Sequence, residues 1–121
     1  MSKNGRQQGE LESLILDALW DSPEPQTSKQ VLDSVGGNQQ LALTTVLTVL
    51  SRLSDKGLVV RDESSGRNHL YRPTQTREQH TAELMLNLFA NGGDRAIALS
   101  LFAGGLSNDA LETLRQEIKR H

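Results

Sequence analysis

The sequence predicts a mainly α fold with one small β-hairpin: a winged helix-turn-helix domain over residues 1–74, followed by a helical dimerisation segment over 75–121. Three observations lead there. Two stretches of helical apolar periodicity, around Val31 and around Val49, are separated by Gly36-Gly37-Asn38. Two short strand-like stretches joined by a Ser-Ser-Gly turn follow them directly. From Thr76 onward Leu, Met and Phe recur at helical spacing again, interrupted at Gly92-Gly93 and Gly104-Gly105.

In chain order, Ser2 to Gly9 is rich in Gln, Asn and Gly and is expected to fray. Leu11, Leu14, Ile15, Ala18 and Leu19 follow the i, i+3, i+4, i+7, i+8 pattern of an amphipathic helix from Glu10 to Trp20. Glu10 and Glu12 suit its positive N-terminal end. The run Asp21-Ser-Pro-Glu-Pro25 ends it, because proline lacks the amide and clashes with a continuing helix. Thr27-Ser-Lys-Gln30 has the form of a capping box, with Thr27 as cap and Gln30 reaching back. Val31, Leu32 and Val35 give the next, short helix one apolar side.

Leu41 and Ala42 lead into the helix from Leu43 to Gly57. Val46, Val49, Leu50 and Leu53 form one apolar stripe; a rotation of roughly 100° per residue puts Thr44, Thr48, Ser51, Arg52 and Asp55 opposite, with Leu47 on the flank. Gly57 can take the left-handed conformation that ends a helix, and Lys56 suits the negative end of the dipole. The outer face thus carries hydroxyls and an arginine instead of the usual Glu/Lys mixture. Such side chains reach phosphates and base edges without holding the helix out of a groove. A Thr-rich core helix of an interaction module remains the alternative on these residues alone, and core packing competes as the explanation of Leu47.

Leu58 to Glu63 reads as a strand, Ser64 to Asn68 as a tight turn and His69 to Arg72 as the returning strand, closed by Pro73. A hairpin directly behind a helix-turn-helix is a wing, and Arg67 at its tip suits a flanking phosphate or minor groove; an arginine on a solvated turn is the plainer reading. Beyond Thr76, Ala82, Leu84, Met85, Leu88 and Phe89 make a broad apolar surface. Ala96, Ile97, Leu99, Leu101 and Phe102 form a second helix. Ser107 caps a third that carries Leu111, Leu114 and Ile118. That is more apolar surface than a small winged domain covers, and the same segment of a second subunit is the simplest sink for it.

The 121 residues fit one domain with a helical appendix, without room for a separate effector-binding domain. The absence of cysteine excludes disulfides, Cys-ligated zinc and thiolate catalysis, and fits a reducing cytosol. No apolar run approaches the roughly 18 residues that cross a bilayer, and Met1 to Gly9 lacks the apolar core of a signal peptide, so a cytoplasmic protein without membrane contact is expected. The net charge of −2 is unusual for a nucleic-acid binder. Its distribution is uneven: Arg52, Lys56, Arg61, Arg67, Arg72 and Arg77 face only Asp55, Asp62 and Glu63 in the same stretch. A basic strip on an acidic protein binds DNA weakly without sequence preference and in a salt-sensitive way.

Four pieces resemble the penicillinase-repressor family, the BlaI/MecI/CopY group of bacterial winged-helix repressors. They are Glu10-Leu-Glu-Ser-Leu-Ile-Leu-Asp-Ala-Leu-Trp20, Leu43-Thr-Thr-Val-Leu-Thr-Val-Leu-Ser-Arg-Leu-Ser-Asp-Lys-Gly57, His69-Leu-Tyr-Arg-Pro73 and Leu106-Ser-Asn-Asp-Ala-Leu-Glu-Thr-Leu114. The second is the most specific, and the likeness runs from about Gly9 to the C-terminus. The resemblance implies a homodimer that holds two winged domains against a palindromic double-stranded DNA operator and blocks transcription. It implies major-groove entry by Thr44, Thr45, Leu47, Thr48 and Arg52, the first, second, third and fourth reading bases and Arg52 the phosphate backbone. Backbone contact is implied for Ser28 and Lys29, and the wing role for Arg67. Pairing is expected through Leu84, Met85, Leu88, Phe89, Leu99, Phe102, Leu111 and Leu114.

Two departures qualify the likeness. Members inactivated by a sensor protease carry an Asn-Phe step where this chain aligns Leu101-Phe102, which leaves a sensor or protease partner unidentified. The copper-responsive branch ends in a Cys-rich hook, which this chain lacks. Other classes fit less well. His69, His80 and His121 are far apart in sequence, and no nucleophile elbow, His-x-x-x-His or phosphate loop is present, so no enzyme, cofactor or metal is expected. A winged helix that binds protein, and a ligand-gated regulator with a pocket near Met85 and Phe102, stay open.

Overall fold

The structure, a computed structural model, describes residues 3–36, 41–62 and 69–121, with the side chains of the first helix described from Gly9. Among these residues the order is α1 (Lys3–Asp21), α2 (Ser28–Gly36), α3 (Leu43–Asp55), β1 (Val59–Asp62), β2 (Leu70–Pro73), α4 (Arg77–Asn91), α5 (Arg95–Gly105) and α6 (Asn108–Arg120). They form two compact units, residues 1–80 and 81–121. The first is a winged helix-turn-helix and the architecture is mainly helical, as the apolar periodicities predict.

The core of the first unit is built from α1, α2, α3 and the hairpin: Ile15, Leu16, Leu19, Val31, Val46, Val49, Leu50, Leu53, Val59 and Tyr71, flanked by Leu11, Trp20, Leu32, Val35 and Leu58. α3 buries the four residues of its predicted stripe. α1 differs from expectation in two ways. It begins at Lys3 instead of near Glu10, since the Gln and Arg residues between its glycines are good helix formers. It also buries Leu16, while Leu14 stays 41 % exposed beside an open groove with Asp17, Ser34 and Val35. The helix packs against α2, α3 and β2 together, so its buried arc is wider than a single stripe.

Local hydrogen bonds set the element boundaries. The Thr27 amide donates to Gln30 Oε1 at 2.9 Å and the Gln30 amide to Thr27 Oγ1 at 3.1 Å, the reciprocal capping box read from the sequence. At the end of α3, Gly57 has φ +77° while the Leu58 amide reaches back to the Leu53 carbonyl at 2.9 Å, a Schellman closure. The chain then turns into β1, which pairs antiparallel with β2 in the register Val59↔Pro73 to Asp62↔Leu70. The tip of this hairpin, including Arg67, lies outside the described residues.

A third extended segment joins β2. Gln26 donates its amide to the Tyr71 carbonyl at 2.9 Å and accepts from the Tyr71 amide at 2.7 Å. The sequence showed Pro23 and Pro25 as a helix break; proline and the residue before it also favour extended backbone at a sheet edge. Residues 75–80 belong to this unit. Trp20 Nε1 donates to the Gln75 carbonyl at 2.8 Å, and Arg77 Nη2 to Asp21 Oδ1 at 3.0 Å.

In the second unit, α5 is capped by Asp94, whose carboxylate accepts from the Ile97 amide at 3.0 Å. α6 is capped by Ser107, which accepts from the Ala110 amide at 3.1 Å. Gly93 makes the turn between α4 and α5 at φ +83°. Neither α4, α5 nor α6 contains a buried residue. Leu84, Met85, Leu88, Leu99, Phe102 and Leu114 are 39 to 75 % exposed, and Phe89 and Leu111 are half-buried. Among the described residues no helix is long and apolar enough to cross a membrane.

Candidate nucleic-acid interface

The four core residues of α3 fix its rotation and leave Thr44, Thr45, Leu47, Thr48, Ser51 and Arg52 exposed on one side. Leu47 is 40 % exposed and stands outside the core cluster, so core packing does not explain it. An exposed leucine among hydroxyls offers a surface for a thymine methyl. Thr48 Oγ1 donates to the Thr44 carbonyl at 2.9 Å. Its proton is thereby committed to the helix backbone, and the oxygen that remains toward solvent is an acceptor.

The N-terminus of α3 differs from those of α2, α4, α5 and α6. α2, α5 and α6 have side-chain caps, and α4 has a reciprocal pair, the Thr76 amide to Gln79 Oε1 at 2.9 Å and the Gln79 amide to Thr76 Oγ1 at 3.0 Å. α3 begins after Ala42, in extended conformation, with no side-chain cap. Among the described residues no side-chain oxygen caps the positive end of its dipole, which suits an anionic oxygen from outside. Ser28, half-buried, and Lys29, exposed, open α2.

β1 adds a residue that the sequence reading counted only as charge. Arg61 lines a groove of about 670 Å³ between α3 and the hairpin, together with Leu47, Ser51, Asp55, Val60 and Tyr71. The signal was available in β1, where Val59 is buried and Arg61 and Asp62 are exposed, but a four-residue strand is too short for its alternation to stand out.

The basic strip is thinner than its local sequence suggests. Lys56 Nζ lies 2.9 and 3.1 Å from the two carboxylate oxygens of Glu12. Arg77 binds Asp21 and Asp17, and the hydrogen bond it donates to Asp21 is the chief cause holding its pKa above the ordinary value. These acids come from α1, more than forty positions away in sequence, and a count over neighbouring residues does not see them. The histidines belong to different parts of the chain: His69 precedes β2, His80 lies in α4 and His121 follows α6. Among the described residues no group of three or more His, Cys, Asp or Glu is placed to hold a metal ion.

A family model described as penicillinase repressor matches residues 8–120. The transcriptional regulator BlaI of Mycobacterium tuberculosis is 38 % identical over 115 residues, covering 91 % of this chain and 81 % of the relative; two strains give the same match. Among solved structures, a MarR-family transcriptional regulator from Rhodococcus sp. RHA1 aligns with a TM-score of 0.50 at 17 % identity, over 90 % of this chain and 70 % of that one. At that identity the likeness is one of fold.

Proposed function

Since the chain belongs to the penicillinase repressor family, a family of DNA-binding transcriptional repressors, we propose that it represses transcription in the cytoplasm as a homodimer seated on an operator with inverted half-sites. The observation that carries this reading is the division of α3 into a fully buried stripe and an exposed face of Thr44, Thr45, Leu47 and Thr48. A helix fits the major groove, and short hydroxyl and apolar side chains meet base edges and thymine methyls there. Ser28, Lys29, Arg52 and Arg67 anchor the phosphates on either side, and the uncapped start of α3 adds backbone amides to that set.

One reading helix gives few base contacts, each worth about 1–3 kcal/mol at best. Two half-sites roughly 34–36 Å apart, held by one dimer, raise the affinity through linkage. The exposed apolar side chains of α4, α5 and α6 supply the pairing surface. Release then follows from any event that cuts or loosens those helices, with the reading helix unchanged.

Selection of bound duplexes from random DNA, with sedimentation of the free protein, tests the reading. An inverted repeat with half-sites about one helical turn apart, bound by a dimer, is expected. Recovered sequences without a repeat, or a monomer at the binding concentration, overturn it.

A further inference from the structure

The corner between α4 and α5 carries a chemistry that operator binding does not use. Asn91 is the last residue of α4, is exposed, and is followed by Gly92. Asparagine is chemically labile, most of all before glycine, whose backbone nitrogen has no neighbouring side chain to keep it from the amide carbon. The fold requires this glycine: a Cβ at Gly92 would stand 2.8 Å from the Leu88 carbonyl oxygen, a backbone atom that cannot turn aside. Gly93 follows at φ +83°. Asn91 also stands where the helix ends. Rotation about its ψ, which brings the Gly92 nitrogen to Asn91 Cγ, undoes only the last turn, where helices fray. Asn87 has neither feature, since it lies one turn earlier inside α4 and precedes Leu88. The sequence holds one other Asn-Gly step, Asn4-Gly5, whose side chains lie outside the described residues.

We propose that Asn91 is a site of self-modification: the Gly92 nitrogen attacks its side-chain amide and converts it to aspartate or isoaspartate, which loosens the pairing segment as the molecule ages. The Gly92 nitrogen gives its proton to solvent and bonds to Asn91 Cγ; the Cγ–Nδ2 bond breaks and the nitrogen leaves as ammonia. Water then opens the succinimide at one of two bonds. Cleavage at Cγ gives aspartate, and cleavage at the backbone carbonyl carbon gives isoaspartate. One water is consumed, one ammonia is released and nothing is oxidised. The product fits the corner less well. Asn91 Nδ2 donates to the Asn87 carbonyl at 2.9 Å, and a carboxylate has no proton with which to replace that bond. Its charge falls at the negative end of the α4 dipole, where the last turn holds no basic residue to offset it. Isoaspartate also routes the backbone through Cβ and Cγ, one atom longer. The effect on pairing rests on the homodimer reading above; the modification does not.

The test ages the full-length protein in neutral buffer and maps it by mass after cleavage at Lys and Arg. The peptide 78–95 carries Asn87 and Asn91 together, so one serves as the control for the other. Asn91 gains about 1 Da as oxygen replaces NH, with isoaspartate and aspartate both present, while Asn87 keeps its amide. Asn91→Gln, whose longer side chain closes the ring far more slowly, stays intact. An Asn91 that keeps its amide, or converts no faster than Asn87, overturns the proposal. Asn91→Asp supplies one product directly, and the exposed position lets both variants fold. In sedimentation Asn91→Asp raises the dimer dissociation constant about tenfold, each chain contributing a few-fold, while Asn91→Gln pairs like the unmodified chain. An Asn91→Asp dimer as tight as the original overturns the loosening. A monomeric unmodified chain refutes the homodimer reading instead, and the mass map still decides the modification.

Discussion

Replacing Thr48 by valine removes one oxygen from the exposed face of α3 and keeps the branched shape. In the free protein the loss is small, because the Thr44 carbonyl that accepts from Thr48 Oγ1 is also the i−4 acceptor of the helix, and no buried group is orphaned. Stability should change by no more than about 0.5 kcal/mol. On DNA the effect is larger. With its proton donated to the Thr44 carbonyl, 2.9 Å from Oγ1, the hydroxyl acts as an acceptor, and the base edges that donate in the major groove are the amino groups of adenine and cytosine. A single such contact lies at the low end of the range, about 1 kcal/mol per half-site. A dimer on two half-sites then loses about 2 kcal/mol, close to 30-fold in affinity. Mobility shifts on the selected operator and on its single-base variants, with a thermal melt alongside, measure both quantities. Thr48→Val should flatten the preference at one base pair per half-site, whereas Thr48→Ser, which keeps the oxygen, should retain it. Equal affinity and unchanged base preference for Thr48→Val would refute the placement of this face in the groove.

Leu50 is completely buried, so Leu50→Ala should cost about 3–5 kcal/mol of stability in urea unfolding. Leu47→Ala, at an exposed position, should leave the unfolding midpoint nearly unchanged and weaken operator binding instead. Arg67→Ala should weaken binding equally across sequences and lower the slope of log affinity against log salt by about one. Lys56→Ala breaks an ion pair with a half-exposed lysine, and a loss below about 1 kcal/mol that disappears at high salt is expected from melts across ionic strength. The fragment 1–80 retains every buried residue of the core, so it should melt cooperatively as a monomer in sedimentation while losing operator affinity by orders of magnitude.

Helix α3 was legible because its periodicity is strict: Val46, Val49, Leu50 and Leu53 leave no second way to orient it. The caps at Thr27 and Ser107 were legible for a similar reason, since each is a local pattern with one geometric solution. What escaped sequence reasoning is non-local. Gln26 joins β2 through backbone atoms, which carry no side-chain signature. Leu16 is buried because α1 has three neighbours, a fact about packing and not about the spacing of its own apolar residues. The pairs Lys56–Glu12 and Arg77–Asp21 bring together charges that any window along the chain assigns to different regions. The capping box at Thr76 and Gln79 is the local exception, a pattern of the same kind as that at Thr27 and Gln30.

Helices α4, α5 and α6 contain no buried residue. At 15, 11 and 13 residues they are near or below the length at which a helix in water holds together unaided, about 12–15 residues. On the proposed pairing, their order is a second-order property, set by how often two chains meet, while residues 1–80 melt at a temperature indifferent to dilution. Copy number then becomes a structural variable. A cell holding few molecules would carry intact reading heads on loosened tails, open to degradation, and would lose repression abruptly as the protein is diluted.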